Sequence, residues 1–162
     1  YYNATCTTGS SIIDSNKTYG GAGTNDQKST PACWLNTTDS LGLDGFLLSN
    51  NGSVKVNVSA YGNKQDGEAF FCGSSGGCPF TSNAAFALFS ELDESDACPA
   101  ASLTSGFENL LTQNTNATIG ICDALDFQDS SDRVNVWVKA TIPKDATAGA
   151  KTLTISFQAL AI

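Results

Sequence analysis

The clearest alternation of apolar and polar residues lies near the end of the chain. In "RVNVWVKATIP", residues 133–143, Val134, Val136, Val138, Ala140 and Ile142 alternate with Asn135, Trp137, Lys139 and Thr141. In "KTLTISFQALAI", residues 151–162, Leu153, Ile155, Phe157, Ala159 and Ala161 alternate with Thr152, Thr154, Ser156 and Gln158. A period of two puts each set on its own face of a pleated strand, so both segments predict half-buried β-strands. "KDATAGA", with Pro143 before it and Gly149 within it, reads as their connection. The same pattern over residues 53–61 places Val54, Val56, Val58 and Ala60 on a core face, with Lys55, Asn57 and Ser59 outward.

Other segments are weaker. "GEAFFCG", 67–73, reads as a strand, and "NATIGICDALDF" as a strand over 117–122. "TSNAAFALFSELD", 81–93, fits a short helix capped by Ser82 or Asn83 and fits a strand equally well. "PAASLTSGFENLLTQ", 99–113, reads as a turn with a short helix, and residues 33–48 as short apolar pieces broken by Gly42 and Gly45. "TYGGAGTNDQKSTP", 18–31, reads as loop, preceded by a short strand near 1–8 and another near 11–13. Strands of this kind, spaced by Gly, Asn and Ser turns, imply an all-β fold. The expected form is an Ig-like or jelly-roll-like β-sandwich with disulfides and at most one or two short helices. Residues 15–162 read as a single sandwich domain, behind an N-terminal extension over 1–14.

Composition narrows the class. Of 162 residues only 15% are charged, and the net charge is −8. The Lys and Arg residues are scattered, whereas neutralising a phosphate backbone needs grouped cations, so a nucleic-acid partner is not expected. No apolar run is long enough to span a bilayer, so no membrane insertion is expected. The six cysteines, Cys6, Cys33, Cys72, Cys78, Cys98 and Cys122, form no C-x-x-C, and the chain contains no histidine. Disulfides in an oxidising compartment are therefore expected, and a zinc site is not. Six cysteines allow many pairings. Locality favours Cys72–Cys78 around "CGSSGGC", then Cys6–Cys33 and Cys98–Cys122. The chain opens on Tyr1 rather than Met, for which a cleaved leader is the expected reason.

Six N-x-S/T triplets begin at Asn3, Asn16, Asn36, Asn51, Asn57 and Asn116, none with Pro in the middle. Chance would supply about two or three in a chain this rich in Asn, Ser and Thr. The excess and the cysteines point to a glycosylated extracellular, cell-surface protein. Asn57 sits inside a predicted strand, and period two turns it away from the core, where a sugar costs the packing nothing.

Candidate chemistry is sparse. Without histidine no Ser-His-Asp or Cys-His arrangement exists, and no Gly-rich phosphate loop carries a Lys. Carboxylates cluster in "ELDESD" (Glu91, Asp93, Glu94, Asp96) and in "DALDFQDSSD" (Asp123, Asp126, Asp129, Asp132). They read as acids of solvated turns; paired glycosidase carboxylates and a calcium site are the weaker alternatives. No enzyme activity, catalytic residue, cofactor or metal is expected beyond N-linked glycans. Trp137 falls on the outward face of its strand, where it either stacks on a sugar or partner or is covered by another element.

An edge strand can pair with another chain, and head-to-tail strand addition gives an open fibre. "QALAI" ends the chain apolar on both faces, through Leu160 and Ile162 as well as Ala161. "YYNATCTT" is a separate short segment, and so a candidate donor strand with Tyr1, Tyr2, Ala4, Cys6 and Thr8 as its subunit-contact residues. The segments "WLNTTDSLGLDGFLLSNNGSVKVNVSAYGN" and "VNVWVKATIPKDATAGAKTLTISFQALAI" resemble extracellular β-sandwich subunits of archaeal threads and bundling pili. The likeness lies in an early sequon-rich strand and a "P-x-D-A-x-A-G" connection feeding the last strand. It implies polymerisation by donor-strand complementation into a helical homopolymer serving adhesion or biofilm formation, with neighbouring filaments or surface glycans as further partners. The alternative is a monomeric secreted carbohydrate-binding or adhesin module, or an S-layer-associated domain.

Overall fold

The computed structural model describes residues 17–20, 45–78, 84–104, 106–113 and 115–162. They form nine strands: β1 (Lys17–Gly20), β2 (Gly45–Ser49), β3 (Val56–Gly62), β4 (Ala85–Leu92), β5 (Glu108–Thr112), β6 (Thr115–Asn116), β7 (Ile119–Leu125), β8 (Arg133–Ile142) and β9 (Ile155–Ala161). One short helix, α1 (Gly67–Phe71), and a 3-10 turn at Ala100–Ser102 complete the set. The fold is an all-β, two-sheet sandwich.

The larger sheet is built on β8. One flank of β8 pairs with β4, which continues to β5 and β6; all pairs are antiparallel. Its other flank is shared by two short strands, β2 against Arg133–Trp137 and β1 against Lys139–Ile142. The smaller sheet runs β7-β3-β9, also antiparallel.

The core lies between the sheets. Val134, Val136 and Ala140 of β8 meet Phe86 and Leu88 of β4, Leu110 and Leu111 of β5, Val58 and Ala60 of β3, and Ile119, Ile121 and Leu125 of β7. Each large aliphatic side chain removed from water there contributes about 1.5–3 kcal/mol. One polar group crosses this core. Ser90 faces inward from β4, and its Oγ donates to the Ile121 carbonyl of β7 at 2.9 Å. Register pairing with β5 ends opposite Leu88, and Thr104 takes over from it: Thr104 Oγ1 accepts from Ser90 N at 2.7 Å and Ser90 Oγ accepts from Thr104 N at 3.1 Å. The network is complete, so it fixes the two sheets in register without leaving an unpaired buried group.

Two irregularities in the β3–β7 register put both Ile121 and Cys122 inside. A bulge turns adjacent residues to the same side. Cys122 is thereby aimed at Cys98, and the two form a disulfide; Cys72 and Cys78 form another. These are two of the three pairs that locality favours. Cys6 and Cys33 lie outside the described residues.

Several sequence expectations are corrected. "GEAFFCG" is a helix, not a strand. Asp66 caps it by accepting from Ala69 N at 2.6 Å, and the Cys72 N–H closes it onto the Glu68 carbonyl at 2.7 Å. Gly67 is needed at its start, since a Cβ there would lie 2.4 Å from the Ala84 carbonyl oxygen. Phe70 then packs tilted against Phe71 and edge-on against Phe86, with centroids 4.5 and 6.0 Å apart. For 81–93, where helix and strand fit equally, the structure decides for strand over residues 85–92, because β8 supplies an eight-residue partner for them. Residues 99–113 contain a strand, β5, after the 3-10 turn. The loop expected over 18–31 begins in β1. Val54 is 47% exposed and precedes β3, so the core face of that strand starts at Val56. The strands expected near 1–8 and 11–13 and the proposed 1–14 extension lie outside the described residues.

Candidate functional site

The site of interest is one flank of the sandwich, where β9 and β2 are both edge strands. Among the described residues β9 pairs only with β3, and β2 only with β8. The β9 register sets Val58 opposite Ala159, Ala60 opposite Phe157 and Val56 opposite Ala161. Directly opposed residues point to the same face, so Phe157, Ala159 and Ala161 face the inter-sheet side and Ser156, Gln158 and Leu160 face out. On β2, Phe46 stands opposite Val136 and so points inward as well. Phe46 and Phe157 meet edge-on across the gap, with centroids 5.4 Å apart. That contact closes the flank only partly: Phe46 remains 39% exposed, and Ala159 and Ala161 are exposed; on the outward face Leu160 and Ile162 are 56% and 67% exposed.

The backbone of β9 has a definite phase. Ile162 N donates to the Lys55 carbonyl at 3.1 Å, and Asn63 N donates to the Thr154 carbonyl at 3.0 Å. In an antiparallel pair hydrogen-bonded and non-bonded residues alternate, so Ser156, Gln158 and Leu160 turn their backbone groups to β3. Phe157, Ala159 and Ala161 turn theirs away from it, to the open edge. An apolar edge of this kind is a template for another strand.

Three sequons lie among the described residues. Asn51 is exposed in the β2–β3 turn, Asn57 is on the outward face of β3, and Asn116 is in β6. Asn3, Asn16 and Asn36 lie outside the described residues, as do Tyr1, Tyr2, Ala4, Cys6 and Thr8 of the candidate donor strand. Trp137 is covered: it is 4% exposed, and its Nε1–H donates to Glu91 Oε2 at 2.9 Å.

Four of the clustered carboxylates lie beside cations. Arg133 Nε donates to Glu94 Oε1 at 2.9 Å, its second guanidinium nitrogen bonds the same oxygen, and Asp93 and Asp132 stand 3.6 and 3.8 Å from Nε. Asp126 pairs with Lys55 at 2.8 Å. Asp96 sits in the left-handed region at φ 64°. Among the described residues, the geometric group fit to hold a metal is Cys72, Cys78 and Asp145. Its two sulfurs are joined to each other, so neither is a thiolate that could bind one. Among the described residues no helix is long and apolar enough to cross a membrane.

The Arg133 hydrogen bond holds the Glu94 carboxyl below its ordinary pKa, and Lys55 does the same to Asp126. A carboxylate with a depressed folded pKa adds stability above its unfolded pKa and loses it as pH falls through the folded value. Stability is therefore expected to be flat from neutral pH down to the ordinary carboxylate range and to fall below it. Glu94→Gln should shallow that acid limb, measured as urea midpoints against pH.

The chain matches no family model, no curated protein and no solved structure.

Proposed function

We propose that the protein is a structural subunit of an extracellular filament, assembled when a strand of one subunit pairs with the open flank of the next. The supporting observation is the exposed, apolar edge of β9 beside the partly open Phe46–Phe157 contact. Main-chain bonds along Phe157, Ala159 and Ala161 would supply affinity, and the inter-sheet seam would receive alternate side chains of the incoming strand. Because donor and acceptor are different surfaces, the contact is head to tail, and it propagates as a fibre when its rotation does not close a ring. Disulfides and sequon excess favour an oxidising, glycosylating surface location. Adhesion or biofilm support is the role such a fibre serves. The rival reading, a monomeric carbohydrate-binding or adhesin module, drew on an exposed Trp137; that side chain is buried, and no specific observation favours the rival.

Negative-stain electron microscopy of protein from native cells tests the proposal. Long uniform fibres are expected, and removal of residues 1–8 should leave monomers. Monodisperse particles of one chain's mass from the unaltered protein would overturn it.

A further inference from the structure

The three described sequons offer the same three-residue signal, but their acceptor nitrogens are held differently. Asn116 Nδ2 donates to two carbonyls, Gly62 and Lys64, each at 2.6 Å. Carbonyl oxygens only accept, so the amide orientation is fixed by its partners. Those bonds tie the β5–β6 hairpin to the end of β3. Asn57 Nδ2 makes one long contact, 3.4 Å to Asp123 Oδ1. Asn51 is held by no carbonyl of the described residues: its side-chain amide lies 3.1 Å from Ser49 Oγ, whose single hydrogen also has the Asp132 carboxylate at 3.0 Å, so the amide is free to present either end.

The turn holding Asn51 is braced by its neighbour. Asn50 is 9% exposed; its Nδ2 donates to the Val54 and Leu125 carbonyls at 2.9 and 3.1 Å, and its Oδ1 accepts from Gly52 N at 3.1 Å. A Cβ at position 52 would lie 3.0 Å from Asn50 Oδ1, so glycine in the middle of the sequon lets this clamp close. Asn50 is thus spent inside the fold, and Asn51, Gly52 and Ser53 are all exposed.

We propose that Asn51 is the principal glycan acceptor of these three, that Asn57 ranks second, and that Asn116 is a structural asparagine left bare. The co-reactant is a polyprenyl-phosphate-linked oligosaccharide. Nδ2 bonds to the anomeric carbon, the bond from that carbon to the phosphate oxygen breaks, Nδ2 gives up one proton, and the lipid phosphate leaves. The product nitrogen keeps one hydrogen. At Asn51 nothing is lost. At Asn116 two carbonyls would compete for that hydrogen, and a sugar would have to displace the Lys64 segment.

The inference rests on the extracellular part of the proposed function and not on polymerisation. Glycopeptide mass spectrometry of protein from native cells reads it directly. Occupancy should fall in the order Asn51, Asn57, Asn116, with Asn51 exceeding Asn116 by about tenfold, the ratio expected when one hydrogen bond must be given up. A bare Asn51, equal occupancy of Asn51 and Asn116, or any other order overturns it. Asn116→Asp should lower the melting temperature by about 4 °C or more, while Asn51→Asp leaves it unchanged; an unchanged Asn116→Asp protein also overturns it. Fibres carrying a bare Asn51 would defeat this inference alone. Monomers carrying an Asn51 glycan would defeat only the filament.

Discussion

With Cys98 and Cys122 both replaced by alanine, the protein should unfold at a urea midpoint corresponding to a loss of about 3–4 kcal/mol. The disulfide spans a sequence separation of 24 and joins the segment after β4 to β7 of the other sheet. Cutting it gives the unfolded chain back the entropy of that loop. The Cys72–Cys78 bond spans a separation of 6, so the same argument gives about 2 kcal/mol for its removal. Packing adds to the loss at both disulfides, since Cys72 and Cys78 are 8% and 1% exposed. Cys98 and Cys122 are 3% and 0% exposed, so two sulfur volumes are left empty in the core. The melting temperature should fall on the order of 10 °C. The nearby Asp126 N–H to Ala97 carbonyl bond, at 2.9 Å, remains as the second tie of this segment to β7. A loss under about 1 kcal/mol would mean that this backbone tie and the buried Ala97 hold the segment without the sulfurs.

How much of this could be read from the chain depends on where each element finds its partner. β8 was legible because ten residues alternate without interruption, and its inner face, Val134 to Ile142, is the one the core uses. The two-sheet architecture followed from strands of that kind. β4 was not decidable locally. Ala, Phe and Leu at 85–92 suit either periodicity, and the choice is made by eight cross-strand pairs to residues about 50 positions away. β1 was missed for the same reason: "KTYG" has no pattern of its own and is a strand because the second half of β8 offers an edge. The α1 error was of a different kind. Asp66 followed by "GEAFF" carries a cap and an acidic first turn, a helix start that is readable in the sequence itself. At the candidate site the apolar end of the chain on both faces, Leu160 to Ile162, is legible, and the register of β9 on β3 and the Phe46–Phe157 contact are not. The sequons could be found by inspection. That Asn116 has its nitrogen committed could not, since its partners Gly62 and Lys64 lie on a distant stretch of chain.

Ala159→Pro should abolish fibres while leaving a folded subunit. Proline removes one N–H and fixes φ, which a central strand does not tolerate and an edge strand does when the lost N–H faces outward. The phase set by Ile162 N on the Lys55 carbonyl and Asn63 N on the Thr154 carbonyl turns the Ala159 N–H away from β3. The residue is exposed, so the subunit's own stability should stay within about 1 kcal/mol of the parent. Leu160→Pro is the control. Its N–H faces Asn57 of β3, so that change breaks the internal ladder and should cost about 1–3 kcal/mol. The two substitutions are adjacent and each removes one N–H; Leu160→Ala measures the share of the second that comes from losing the leucine side chain, and the remaining difference reports which side of β9 each N–H faces. Fibres counted by electron microscopy and stability read by urea unfolding separate the effects. If β9 is the acceptor, Ala159→Pro yields stable monomers, and Leu160→Pro yields a weakened fold. Abundant fibres from the Ala159→Pro protein would show that the incoming strand does not use this edge, and would move the search to the outer side of β2, where Leu47 is 48% exposed.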